Sequence, residues 1–193
     1  MTTYVLTAIG DDRPGLVSAL SAVVDDHSGN WVDSSLALLG GKFAGIVLVD
    51  IAEQRAEGFV QELATLAEQV GLRVEATATH AAPAAPTDAA EAVGSALRLH
   101  LLGQDRAGTV REVTTALASA HATIDELRTW TRAAPEGGGL LFEAEAQVRL
   151  APGSDAEAVR EALERIAGEL MVDVDLDDLA QTEPVQTDPA QTD

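Results

Sequence analysis

The chain has no cysteine. Disulfides, thiolate metal sites and thiol nucleophiles are excluded together. Aromatic residues are few: two Trp, one Tyr and three Phe in 193 residues. The core is therefore left to Val, Leu, Ile and Ala. Lys42 is the only lysine, and 12 basic residues stand against 32 acidic ones for a net charge of −20. Nucleic-acid affinity comes largely from Lys and Arg neutralising phosphates, so direct DNA or RNA binding is not expected. No apolar run reaches the ~20 residues that span a bilayer. Met1-Thr2-Thr3-Tyr4-Val5-Leu6 has no basic segment ahead of its apolar residues, so no signal peptide is expected. A cytoplasmic protein, off the membrane, is the expectation.

What is present is a repeat. Gly10-Asp11-Asp12-Arg13-Pro14-Gly15 recurs as Gly103-Gln104-Asp105-Arg106-Ala107-Gly108, an offset of 93. The same offset carries Asn30-Trp31 onto Thr123-Ile124 and Asp33 onto Glu126. Farther along the offset is 100, with Phe59, Leu63 and Leu66 on Val159, Leu163 and Ile166, and Val74 on Val174. One insertion of seven residues in the second copy accounts for the change. It is expected where Gly40-Gly41 is replaced by Ala133-Ala134-Pro135-Glu136-Gly137-Gly138-Gly139. A constant offset, one loop insertion and a second constant offset mean duplication.

Each copy reads strand, helix, strand, strand, helix, strand. In the first, 4–9 is β-prone, and Pro14 stands where a helix can begin. Leu16, Ala19, Leu20, Val23, Val24 and His27 then follow at helical spacing. Strands over 31–39 and 43–51 are joined by Gly40-Gly41, a dipeptide suited to a tight hairpin. A helix over 57–70 stops at Gly71, and Val74, Ala76 and Ala78 alternate in the last strand. The second copy repeats this at 97–102, 109–120, 124–132, 140–150, 155–170 and 171–176. Ile46-Val47-Leu48-Val49 is apolar on both faces, and such a strand is expected to be covered on both, by the second module or another subunit. The chain is thus expected to self-associate.

The fold class implied is α+β: two ferredoxin-like βαββαβ modules, each a four-stranded antiparallel sheet with two helices on one face. The modules are placed at 1–80 and 95–177. A Pro/Ala linker over 81–94 and a disordered acidic tail over 178–193, built on a loose Gln-Thr-acid-Pro repeat, complete the chain.

Catalytic signatures are missing: no Gly-x-Ser-x-Gly elbow, no His-Glu-x-x-His helix, no phosphate loop ending in Lys-Ser/Thr. His27 and His121 fall near helix ends, which suits a structural role. His100 faces away from Leu99 and Leu101, toward solvent or an interface, and His80 borders the linker. No catalytic residue, metal site or cofactor is expected. The repeated polar feature is the Gly-x-Asp-Arg-x-Gly turn. Structurally, Gly10 and Gly15 shape it, Asp12 caps the helix and Arg13 is a solvated charge. As a binding element it offers helix-start N–H groups near Gly15 and Leu16 to a carboxylate. Asp11 and Asp12 would repel a phosphate, whereas Asp12 and Asn30 suit an ammonium, so a zwitterion fits better.

These residues carry a resemblance. Thr7-Ala8-Ile9-Gly10-Asp11-Asp12-Arg13-Pro14-Gly15-Leu16-Val17, then Asn30-Trp31 opening the second strand, resemble an ACT domain, a module of amino-acid-sensing regulators. The chain is similar, over 3–177, to the glycine cleavage system transcriptional repressor family, a free-standing pair of ACT domains. The resemblance implies a ligand at a domain interface, held by the first turn and the start of the second strand: Gly10, Asp12 and Asn30 here. It implies a small amino acid, glycine or serine first, and action through a separate DNA-binding regulator. The second copy departs at Ala107 and Thr123. The alternatives are a ferredoxin-like small-anion or acyl-phosphate enzyme, with Arg13 and Arg106 holding the anion, and a structural interaction module without ligand.

Overall fold

In the computed structural model, the described residues are 1–79, 95–135, 138–151, 153–154 and 156–178. The chain divides into two compact units, Met1–Pro86 and Thr87–Asp193. The linker expected over 81–94, and His80 beside it, lie outside the described residues. So does the expected tail, apart from its first residue, Asp178, which belongs to a strand and pairs with Leu97.

The first unit runs β1 (Thr2–Asp11), α1 (Leu16–Asp26), β2 (Asn30–Leu39), β3 (Lys42–Ile51), a 3-10 turn (Glu53–Arg55), α2 (Ala56–Gln69) and β4 (Leu72–Thr79). The second runs β5 (Ala96–Gln104), α3 (Thr109–Ser119), β6 (Ala122–Ala133), β7 (Leu140–Leu150), α4 (Ala156–Leu170) and β8 (Val172–Asp178). Strand order is β2-β3-β1-β4 in one sheet and β6-β7-β5-β8 in the other, and the paired strands are antiparallel. This is the ferredoxin-like α+β module twice.

Alternation along each strand decides what is buried. In the first unit Leu6, Ala8, Val47, Val49 and Ile51 face the helices and meet Leu20, Val24, Phe59 and Leu63. Phe59 is fully buried, its ring centroid 5.9 Å from that of Tyr4. The second unit repeats the arrangement with Leu99, Leu101, Val148 and Leu150 against Val113, Leu117, Val159 and Leu163. Val47 and Ala146 correspond, since each faces the same position of the central strand, Leu6 in one unit and Leu99 in the other. On the helix-free face of the first sheet Ile46 stays 53 % exposed and Ile9 48 %. The matching face of the second sheet is polar, with Glu143, Glu145 and Gln147 along β7.

Three details differ from the sequence reading. The helix does not begin at Pro14. Gly15, at φ 94°, caps it from the left-handed region and α1 starts at Leu16. The inserted residues are also divided. Leu39 matches Arg132 at an offset of 93, Lys42 matches Leu141 at 99 by strand register, and Phe59 matches Val159 at 100. Six residues therefore lengthen the β6–β7 hairpin and one lies between β7 and α4. The third detail is a bulge: pairing skips Val32 in β2 and Asp125 in β6, at the same place in both units. The Gly40-Gly41 hairpin is as expected, with φ of 58° and 75°, the pair of positive values a two-residue I′ turn requires.

Candidate functional site

The β1–α1 turn collects most of the polar residues singled out above. Its backbone is fixed at both ends. The Asp12 N–H donates to the Gly41 carbonyl at 3.0 Å, and the Ala19 N–H to the Gly15 carbonyl at 2.8 Å. Asp11 is ion-paired with Lys42 across the β1–β3 ladder. The hydrogen bond and charge of Lys42 hold the Asp11 carboxyl below its ordinary value of 3.8, with Arg13 adding a smaller pull.

Asp12 does not cap α1. No side chain caps this helix at all, because Gly15, not Asp12, occupies the capping position. The first N–H groups of α1, from Leu16 on, lack intrahelical partners by geometry. The Leu16 side chain is in the core, so only its backbone can serve a ligand. Asp12 and Arg13 are exposed, and neither side chain makes a hydrogen bond or ion pair among the described residues.

The role of Gly10 is also different. A methyl group there would stand 2.7 Å from the Gly71 carbonyl oxygen. Its bare backbone admits the α2–β4 turn rather than a ligand. Gly103 repeats this, with a methyl meeting Val172 at 2.3 Å.

Asn30 is the larger correction. Within one unit it does not meet Gly10 and Asp12. Asn30 lies opposite Asp50 on β3, while Asp11, beside Asp12, lies opposite Lys42. Eight residues of strand separate these levels, about 27 Å by the usual rise. The structure thus brings together Gly10, Asp12, Arg13, Gly15 and Leu16 and leaves Asn30, exposed, at the far end of the sheet. Around it Thr3 Oγ1 donates to Asp50 Oδ1 at 2.6 Å.

Two residues of the turn's surroundings were not assigned to it from the sequence. Lys42 was legible only as the one lysine, and Gly71 only as a helix stop. Two of the histidines meet carboxylates: His27 Nε2 lies 2.8 Å from Glu62 Oε2, and His100 Nε2 3.1 Å from Glu143 Oε1. Glu143 also accepts from Arg132 Nε at 2.9 Å and Trp130 Nε1 at 3.1 Å. Arg132 first, then His100, hold its carboxyl below the ordinary value. Among the described residues no three His, Asp or Glu side chains are grouped to hold a metal, and no helix is long and apolar enough to cross a membrane.

Two ferredoxin-like units, each with a glycine-capped helix behind a polar first turn, define a tandem module of the α+β class. The first unit belongs to the ACT domain family, whose profile matches residues 2–77. A UPF0237 protein of Methanopyrus kandleri is 38 % identical over 76 residues, covering 38 % of this chain and 84 % of that protein. Another from Methanocaldococcus jannaschii is 33 % identical over 76 residues, with 38 % and 84 % covered. Both units are matched by an unknown protein from Galdieria sulphuraria, 30 % identical, TM-score 0.77, over 92 % of this chain and 98 % of that one. A protein assigned as a glycine cleavage system transcriptional repressor shares the fold at 19 % identity, TM-score 0.65, over 92 % and 97 % of the two chains.

Proposed function

We propose that this is a non-enzymatic, cytoplasmic regulatory protein that responds to a small amino acid, glycine or serine first, and acts through protein contacts. Repression of the glycine cleavage type, through a separate DNA-binding regulator, is the mode of action this reading adopts. A net charge of −20 favours contact with a protein over contact with DNA.

One observation carries the reading: the two halves of the expected site lie at opposite ends of a sheet in which β2 is an edge strand. Antiparallel pairing of β2 with the β2 of a second copy sets the start of one strand beside the end of the other. Asn30 then stands near the partner's Leu39 and so near the partner's first turn. An isologous dimer completes two equivalent sites in this way. The edge is apolar toward its end, with Leu38 59 % and Leu39 81 % exposed. In each site the helix-start N–H groups and Arg13 take the carboxylate, and Asp12 with the partner's Asn30 takes the ammonium.

Calorimetry on the full chain tests this. Asp12→Ala and Asn30→Ala each lose a charge-assisted hydrogen bond, for a roughly ten- to hundred-fold weaker affinity. After the two variants are mixed and allowed to exchange subunits, half the dimers are mixed and each regains one intact site. About a quarter of the sites therefore recover. A monomer by sedimentation that still binds glycine, or no recovery on mixing, overturns the shared site. Absence of binding by every amino acid overturns the sensing role.

A further inference from the structure

The Arg13 guanidinium rests on the Gly71 turn. A methyl group on Gly71 would lie 1.9 Å from Arg13 Nη2, 3.1 Å from Cζ and 3.8 Å from Nε. The space that a side chain would take at position 71 is thus the space the guanidinium occupies. No described carboxylate is paired with it: Asp11, whose carboxyl feels its charge, is already bonded to Lys42. An arginine held against backbone, exposed and unpaired, is a donor fork ready for a planar anion.

The second unit supplies the contrast. Its turn has the same backbone, with Gly108 at φ 99° where Gly15 has 94°. Gly103 packs on Val172 as Gly10 packs on Leu72. At the place of Gly71, however, stands Met171, at φ 54° against 62° for Gly71. A side chain therefore stands at the place that the Arg13 guanidinium takes in the first unit. Arg106 is engaged by its own surroundings.

We infer that Gly71 is a specificity-determining residue: its missing side chain seats Arg13 as the group that holds a small carboxylate, and Met171 removes that seat from the second unit. The inference rests on reading the first turn as a ligand site. It adds a residue from the other end of the sequence module, and it explains which of two similar turns binds.

The test follows arginine Nε–Hε resonances in the full chain labelled with nitrogen-15, with the Arg13 signal assigned from Arg13→Lys. Glycine and, separately, acetate are titrated in. Both are expected to move the Arg13 signal and to leave Arg106 in place. Gly71→Met is expected to weaken glycine at least roughly ten-fold, the usual loss of a charge-assisted bond. Adding Arg13→Lys to Gly71→Met should cost no further affinity, because both changes remove one interaction. The backbone of Met171 shows that methionine is tolerated in this conformation, and Gly71→Ala serves as the smaller change. Movement with acetate but not glycine, lost in Gly71→Met, keeps the seat and sinks only the amino-acid reading. An Arg13 signal that neither probe moves, that moves alike in Gly71→Met, or losses that add in the double variant overturn the inference.

Discussion

Gly10 and Gly71 meet backbone to backbone at the end of the first sheet, where a methyl group on Gly10 would stand 2.7 Å from the Gly71 carbonyl oxygen. A backbone oxygen cannot swing aside as a side-chain end can. Gly10→Ala is therefore expected to destabilise by about 1–3 kcal/mol, the usual cost of overpacking. Urea unfolding of the full chain measures it. An alanine tolerated without loss would mean that β1 and β4 separate easily at this end.

Gly168 gives the opposite case. It lies in α4, exposed, with nothing within 4 Å of where a methyl group would stand. Gly168→Ala should stabilise by about 0.5–1 kcal/mol, through helix propensity and a less free unfolded chain. A higher Tm is the readout, and an unchanged one would place that last helical turn in a frayed state.

Phe59 anchors α2 on the first sheet, fully buried between Tyr4 and His27, with centroids at 5.9 and 5.7 Å. Phe59→Ala should cost about 3–5 kcal/mol. Loss of the His27 to Glu62 bond should accompany it, seen as a shifted His27 ring resonance. A cost below 1 kcal/mol would show that the site collapses onto the hole.

The Asp11 to Lys42 pair sets a pH dependence. The Asp11 carboxyl titrates below its ordinary 3.8 because Lys42 stabilises the carboxylate. Its contribution to stability is thus complete above the unfolded value and is lost as pH falls through the lowered folded one. Both groups are exposed, so salt weakens the effect. Carbon-detected NMR titration should place Asp11 below 3.8, and Lys42→Ala should return it toward 3.8. A midpoint unmoved by Lys42→Ala would contradict the pairing.

Binding should differ between the two turns. Asp105→Ala leaves the first-unit site intact and is expected to change glycine affinity less than two-fold, against roughly ten-fold or more for Asp12→Ala. Calorimetry with both variants decides it, and equal losses would move the site assignment to the second unit.

Periodicity and turn residues made the two modules legible. Leu16, Leu20, Val23 and Val24 recur at helical spacing, and all four are buried. Gly40-Gly41 named its own turn. The divided insertion escaped because one residue between β7 and α4 changes no pattern; only strand register separates an offset of 99 from 100. The placement of Asn30 was within reach of topology. A crossover through α1 makes β2 run parallel to β1 with β3 between them, so the first residue of β2 lies at the end where β1 begins. Motif spacing alone hides this, because it treats residues as near when they belong to one signature. The seat of Arg13 was not legible, since Gly71 reads as a helix stop whether or not anything rests on it.

The duplication has an experimental use. Two turns of nearly the same backbone, capped at φ 94° and 99°, share one molecule, one concentration and one buffer. Each change made at Asp12, Arg13 or Gly71 therefore has a counterpart at Asp105, Arg106 or Met171 in the same sample. The chain supplies its own reference compound, and effects common to both turns can be set apart from those that belong to one.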